Sequence, residues 1–360
     1  MSKHNLKAFF YPIAFIAALF FCSIHYSLVE ASELASIELP SDFQYPNGIA
    51  RSSDGTLYVG SITSGQILRI NSEGQSETLF PGSDEIFAGA ALRLDEQRNI
   101  LWGTSPDFLG VPDQNGETRR RSNRIFAIDS LTGEVLRVIL MPDAGYGNDI
   151  ALDTNGGVYV TDSTNPRIYY LAPEAEQFSV WVEDTRFSSD EFGLSGIARR
   201  PDGVTIVGMY SDGELFKITP QTQGDAKVEP ISLERELENP DGIQFTSNNS
   251  LLVAEGAATT GEGRLLEIDI FSSGTEPKSV KTIGSRLESP TNLTVADRKV
   301  WVTESRIRRR ILPNLENEIP EGFFVRSYTL TKNTATSIPE SNSFLGLAII
   351  ATSMILFLKK

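Results

Sequence analysis

Asn47-Gly48-Ile49-Ala50, followed after three residues by Asp54-Gly55-Thr56-Leu57-Tyr58-Val59, reads as a strand, a tight turn and a second strand. Asp-Gly tolerates the positive φ of a hairpin turn, and the apolar residues on either side suit a half-buried sheet. The pattern returns as Asn148-Asp149-Ile150-Ala151 with Asn155-Gly156-Gly157-Val158-Tyr159-Val160. It returns again as Ser195-Gly196-Ile197-Ala198 with Asp202-Gly203-Val204-Thr205-Ile206-Val207. Later copies begin at Asp241-Gly242-Ile243 and Thr291-Asn292-Leu293, and a degenerate one runs from Ala90-Ala91-Leu92 to Leu101-Trp102. Repeats of this period are stacked supersecondary units.

Working outward, each copy is followed by two more short runs rich in Val, Ile, Leu and Tyr, such as Arg124–Ile128 with Glu134–Leu140 and Arg167–Leu171 with Phe178–Val182. Four strands in each of six units predict an all-β, six-bladed β-propeller. The last unit, with Leu293–Val295, Val300–Thr303 and Phe323–Leu330, is one strand short, and Ala35–Leu39 is one strand too many at the other end. That N-terminal strand is therefore expected to complete the last blade, closing the ring and removing exposed sheet edges. Equivalent strands start at Gly48, Ala90, Asp149, Gly196, Gly242 and Asn292. The long second unit carries an insertion, Phe108–Ser122, with Arg119-Arg120-Arg121 in it. A second basic cluster is Arg306, Arg308, Arg309 and Arg310. Both clusters read as loops, and either could hold an anion or a partner on an otherwise acidic body.

The two ends differ from the body. Residues 1–31 have Lys3 and Lys7, an apolar run and Val29-Glu30-Ala31 before Ser32, the marks of a secretory signal or an uncleaved anchor. Residues 337–360 contain an uncharged apolar run from Ser343 to Leu358 and end on Lys359-Lys360, as a short membrane anchor would. With Pro339-Glu340 before it, this tail resembles the PEP-CTERM sorting signal of bacterial envelope proteins, which is removed by a membrane protease. The expectation is an exported protein, in the periplasm or cell envelope or secreted, held at the membrane unless the tail is cleaved.

The body, residues 32–336, keeps 28 of the 32 Lys and Arg and 45 of the 47 Asp and Glu, a net charge of −17. Such acidity argues against nucleic acid and favours cations. A monomer is expected. His4, His25 and Cys22 all lie in the leader, so the body has neither histidine nor cysteine. Ser-His-Asp and Cys-His catalysis, thiolate or imidazole zinc sites and disulfides are excluded there.

In a propeller the start of each inner strand and the end of the second strand share one face. That face collects Asn47, Asn148, Asp149, Ser195, Asp241, Thr291 and Asn292, with Ser105, Asp162, Glu255 and Glu304 nearby. Asp54, Asn155 and Asp202 occupy turns on the other face and read as structural. A convergent ring of side-chain oxygens suits a hard cation, and Ca2+ tolerates irregular oxygen shells. The candidate ligands are Asn47, Asn148, Ser195, Asp241 and Asn292. These residues could equally satisfy backbone groups at strand starts.

At Pro46-Asn47-Gly48-Ile49-Ala50, Asn148-Asp149-Ile150-Ala151 with Thr161-Asp162-Ser163, and Asn239-Pro240-Asp241-Gly242-Ile243, the chain resembles the senescence-marker/gluconolactonase (regucalcin-like) propellers. The resemblance implies one divalent cation in the channel and hydrolysis of a lactone or ester. Of the ligands it implies, Asp241 and Asn148 match, whereas Asn47 stands where a Glu is usual and Ser195 where an Asn is usual. It makes Asp241 ligand and general base, with Asp149 or Asp162 orienting water. Two functions stay open: a Ca2+-dependent hydrolase of a small lactone or ester, and a non-catalytic propeller that binds a partner protein at the surface or in the periplasm.

Overall fold

The computed structural model describes residues 33–331 apart from 113, 316, 317 and 319; the leader and the C-terminal tail read from the sequence lie outside them. Six four-stranded antiparallel sheets hold nearly all of the strands among the described residues. From the inside out, blade 1 is Pro46–Arg51, Leu57–Ser61, Ile67–Ile70 and Ser76–Phe80. Blade 2 is Leu92–Asp95, Ile100–Ser105, Arg124–Asp129 and Val135–Leu140. Blade 3 is Gly147–Leu152, Val158–Asp162, Arg167–Leu171 and Ser179–Glu183. Blade 4 is Leu194–Arg199, Thr205–Met209, Leu215–Thr219 and Lys227–Pro230. Blade 5 is Pro240–Phe245, Leu251–Glu255, Gly263–Ile268 and Val280–Leu287. Blade 6 is Pro290–Ala296, Lys299–Glu304, Phe324–Thr329 and, outermost, the N-terminal strand Glu33–Glu38.

Alternation along the strands builds the core. Leu57 and Val59 enter the apolar cluster shared with Trp301 and Val325 of blade 6, whereas Tyr58 between them enters the cluster shared with Leu92 and Phe126 of blade 2. This is the period-2 geometry of a strand buried on both faces. Further clusters fill the remaining blade interfaces. Each large side chain buried there contributes about 1.5–3 kcal/mol of transfer free energy.

The glycine after the first polar residue of the repeat has a steric reason. A Cβ on Gly196 would lie 2.1 Å from the Asp241 carbonyl oxygen, and one on Gly242 would lie 2.7 Å from Asn292 Cα. Inner strands of neighbouring blades therefore meet backbone to backbone around the channel. Threonines tie them: Thr104 donates to the Asn148 carbonyl at 3.1 Å, Thr161 to the Ser195 carbonyl at 2.5 Å and Thr303 to the Asn47 carbonyl at 2.6 Å. Each bond runs from the second strand of one blade to the inner strand of the next.

Two loops differ from the reading above. The blade 2 insertion holds a small hairpin, Val111–Pro112 with Thr118–Arg119, and the second basic cluster forms one helical turn, Arg308–Ile311. No helix among the described residues is long and apolar enough to cross a membrane.

Candidate functional site

The inner strands all begin at one end of the channel, and a cavity of about 280 Å3 opens there. Asn47, Asn148, Asp241 and Thr291 line it, from blades 1, 3, 5 and 6. Three of the five candidate metal ligands are thus brought together. Tyr146 and Tyr210 stand beside them, and Phe108, Phe192, Ile307 and Ile311 form apolar walls. The aromatic rings touch: Phe192 meets Tyr146 at 5.4 Å, Tyr210 at 6.2 Å and Phe108 at 6.4 Å between centroids.

Asp241 is the unusual member. Its carboxylate receives no hydrogen bond and no ion pair from any described residue. Burial, and after it the charge of Asp149, pushes its pKa well above the usual carboxylate range. A desolvated carboxylate without partners is costly unless it takes a proton or a cation. Tyr146 and Tyr210 are also shifted upward, first by burial and then by the charge of Asp241, so both keep their hydroxyl protons. Asn148 donates its amide to Ser163 Oγ at 2.9 Å, which leaves its carbonyl oxygen as the free end.

The other candidates lie elsewhere. Ser195 is fully buried and donates to the Pro240 carbonyl at 2.6 Å, so it ties blade 4 to blade 5. Asn292 and Asp149 replace the inner-strand glycine in blades 6 and 3, which stand opposite each other in the ring, and their side chains meet across the channel at 3.5 Å. Arg93 of blade 2 completes this plug, 2.9 Å from Asp149 and 3.2 Å from Asn292 Oδ1. Asp149 also accepts from the backbone of Ile150 and Ile197. Burial raises its pKa, with Arg93 pulling the other way. Asp162 accepts from the backbone of Tyr146, Thr164 and Asn165 and from the Asn165 amide, and so shapes the loop that carries Tyr146. Neither Asp149 nor Asp162 lines the cavity.

The basic clusters are largely engaged within the fold. Arg121 pairs with Asp107 at 3.1 Å and covers the Phe87 ring at 3.7 Å. Arg308 donates to the carbonyls of Ala258 and Thr259, and Arg309 pairs with Glu288 and Glu318. Their segments position Phe108, Ile307 and Ile311 as walls. The sequence reading did not find these walls, nor the two tyrosines. The one available signal was the position of Tyr146 and Tyr210 beside the inner-strand start of blade 3 and the second-strand end of blade 4.

A hard-cation site needs oxygen donors, and the cavity lining offers the Asp241 carboxylate with the exposed Glu191 at its rim, the side-chain amides of Asn47, Asn148 and Asn239, and the hydroxyls of Thr259, Ser289 and Thr291. Among the described residues no group of three or more His, Cys, Asp or Glu is poised to hold a metal ion. The donor set at the inner-strand starts therefore fits a cation that accepts neutral oxygens, with Asp241 as the anionic group among them.

No family model matches the sequence, and no curated protein matches it. Among solved structures the chain is similar to a gluconolactonase from Xanthomonas campestris, with a TM-score of 0.57 and 12% identity over 84% of this chain and 97% of that one. It is also similar to virginiamycin B lyase from Staphylococcus aureus, with a TM-score of 0.54 and 14% identity over 82% and 99% of the two chains. A third is the PQQ-bound aldose sugar dehydrogenase from Streptomyces coelicolor, with a TM-score of 0.52 and 13% identity over 83% and 97%. These likenesses define the class: a six-bladed β-propeller whose neighbours include gluconolactonases.

Proposed function

We propose that the cavity binds a small, partly apolar lactone or ester and hydrolyses it, with a divalent cation such as Ca2+ held by Asp241, Asn148 and Asn47. The observation that carries this reading is the unpartnered, half-buried Asp241 carboxylate, its pKa raised by burial, facing a cavity with oxygen donors and two protonated tyrosines. The neighbours named above act on small molecules, which agrees with it. A bound cation would polarise the ester carbonyl and lower the pKa of an attacking water. The chain's own residues do the rest. The aromatic walls exclude water and orient the apolar part of the ligand. Asp241, ionised, takes a proton from the water at its carboxylate oxygen, and desolvation makes it a stronger base than a surface carboxylate. Tyr146 or Tyr210, kept protonated, donates to the oxygen on which negative charge develops. Lyase chemistry that depends on histidine has no counterpart here. A histidine-to-alanine form of virginiamycin B lyase is catalytically inactive, and the only histidines of this chain are His4 and His25.

The scarcity of carboxylates at the cavity favours a second reading, a non-catalytic binding module. One experiment separates the two. Calcium is titrated calorimetrically into the purified protein and into Asp241→Asn, and both are then assayed on a panel of lactones and esters with and without calcium. The hydrolase reading expects one-site binding and calcium-stimulated turnover in the wild type and at least a ~100-fold loss of turnover in the variant. A folded wild type with calcium binding and no turnover supports the binding module. Absence of binding at millimolar calcium removes the cation from the proposal. Export and membrane retention belong to the same proposal, and fractionation of cells expressing the full chain against one lacking residues 337–360 tests them.

A further inference from the structure

The two mouths of the channel are chemically opposite. At the far end from Asp241, where the inner strands finish, a second cavity of about 340 Å3 is lined by Arg51, Arg93 and Arg199 together with Gln244 and Thr294. Among the described residues no acidic one lines it, in a chain with 47 Asp and Glu against 32 Lys and Arg. We propose that this mouth binds a small polyanion bearing carboxylate or phosphate oxygens.

The polar groups there are donors with capacity left over. Neither Arg51 nor Arg199 forms an ion pair with any described residue. Arg51 Nε is buried and has no hydrogen-bond partner. Arg199 uses only Nη1, on the Gly203 carbonyl at 2.6 Å and Thr205 Oγ1 at 3.1 Å. The Gln244 side-chain oxygen accepts from the Val295 backbone at 2.9 Å, so its amide nitrogen is the end left to donate. The carboxylates of the nearby turns have hydrogen-bond or ion-pair partners: Asp54 accepts from Ser52 and the Thr56 backbone, with the Arg51 charge a weaker influence on it, and Asp202 pairs with Arg200 at 2.9 Å.

The guanidinium groups are also held in place. Arg51 lies over the Trp301 ring at 4.9 Å, and Arg199 over Tyr159 at 4.4 Å and Trp181 at 5.5 Å. Stacking fixes the plane of the fork, so less side-chain freedom is lost when it meets an oxyanion. Arg93 forms the floor, anchored by Asp149. The forks suit bidentate recognition of carboxylate or phosphate. The overall negative charge of the body does not cancel the site, because screening limits exposed charges to about 8–10 Å at physiological salt. If Arg51 and Arg199 serve only to brace the hairpins and aromatic rings, the mouth has no anion affinity.

The test is calorimetry with citrate, and separately inorganic phosphate, on protein stripped of divalent cations so that chelation at the other mouth cannot contribute. Saturable one-to-one binding of either anion is expected, weakened by added NaCl. Binding of citrate alone assigns carboxylates, and binding of phosphate alone assigns phosphate. The double variant Arg51→Gln/Arg199→Gln should lose about tenfold or more in affinity, and Asp241→Asn should bind as the wild type does. No saturable heat from either anion at millimolar concentration overturns the proposal, as does binding that survives the double variant or vanishes in Asp241→Asn. Should the double variant fail to fold, Arg51→Lys and Arg199→Lys keep the charge and remove the fork; affinity unchanged in both overturns it equally. The outcome does not depend on whether the first cavity is catalytic.

Discussion

Asp149 is buried and Asp241 half-buried, and both lie on inner strands with their pKa shifted upward, yet they hold opposite positions in the energetics. Asp149 has Arg93, Asn292 and two backbone N–H groups around it, and Asp241 has none. Removing Asp149 leaves the Arg93 charge in the channel without its counterion, and breaking a buried pair from one side costs about 3–5 kcal/mol. Asp149→Ala is therefore expected to lose that much in chemical denaturation. Asp241→Asn removes a half-buried charge that no described residue pairs with, so in cation-free buffer it should unfold at the same or higher denaturant concentration than the wild type. A loss above about 1 kcal/mol would mean that Asp241 has a stabilising partner. Strand register in the sequence put both residues on one face. It could not separate them, because the arginine that distinguishes them lies 56 residues from Asp149 and the asparagine 143.

At the scale of the strand, the carboxylates that end second strands share one task. Asp162 accepts from the Tyr146 backbone, Glu255 from Glu238 and Glu304 from Glu288, so each caps the segment leading into its own blade. Glu255 adds Arg235 at 2.5 Å and Arg264 at 2.9 Å. Burial pulls its pKa up, but the bonds from Arg235, the Glu238 backbone and Arg264 outweigh it, and the net shift is downward from 4.5. A depressed folded pKa contributes stability that is present above the unfolded value and is lost as pH falls through the folded one. Glu255→Gln should therefore melt below the wild type at neutral pH, and the gap should close as pH drops below 4.5. A gap that stays constant from neutral to acid pH would assign the effect to packing. The sequence showed these carboxylates at the right end of the strand. Their partners were not legible, because Arg235 and Arg264 belong to a loop and a third strand whose approach depends on the twist of blade 5. The cavity walls escaped for the same reason: Phe108 and Ile311 sit in segments without strand periodicity, and only the assembled ring brings them to the channel.

The whole ring depends on one short strand far away in sequence. The four-strand period and the missing strand at the C-terminal end made the closure readable, and the structure pairs Glu33 with Tyr328, Leu34 with Ser327, Ile37 with Val325 and Glu38 with Phe324. Leu39 extends the pairing by donating to the Phe323 carbonyl at 2.9 Å. Leu39 and Phe43 then enter the apolar cluster between blades 6 and 1 with Trp301 and Val325. Deleting residues 32–40 would strip blade 6 of its outer strand and expose Phe324–Thr329 as an open edge, a template for pairing with other chains. It would also loosen the seam at which the last blade meets the first. Among the described residues, blades 6 and 1 are otherwise joined by the shared apolar cluster, by Arg51 over the Trp301 ring and by inner-strand contacts such as Thr303 to Asn47. Loss of soluble protein on deletion is the expected result, with recovery when residues 32–40 are supplied as a separate peptide. A deleted protein that stays soluble with an unchanged melting curve would show that the ring closes without its N-terminal strand.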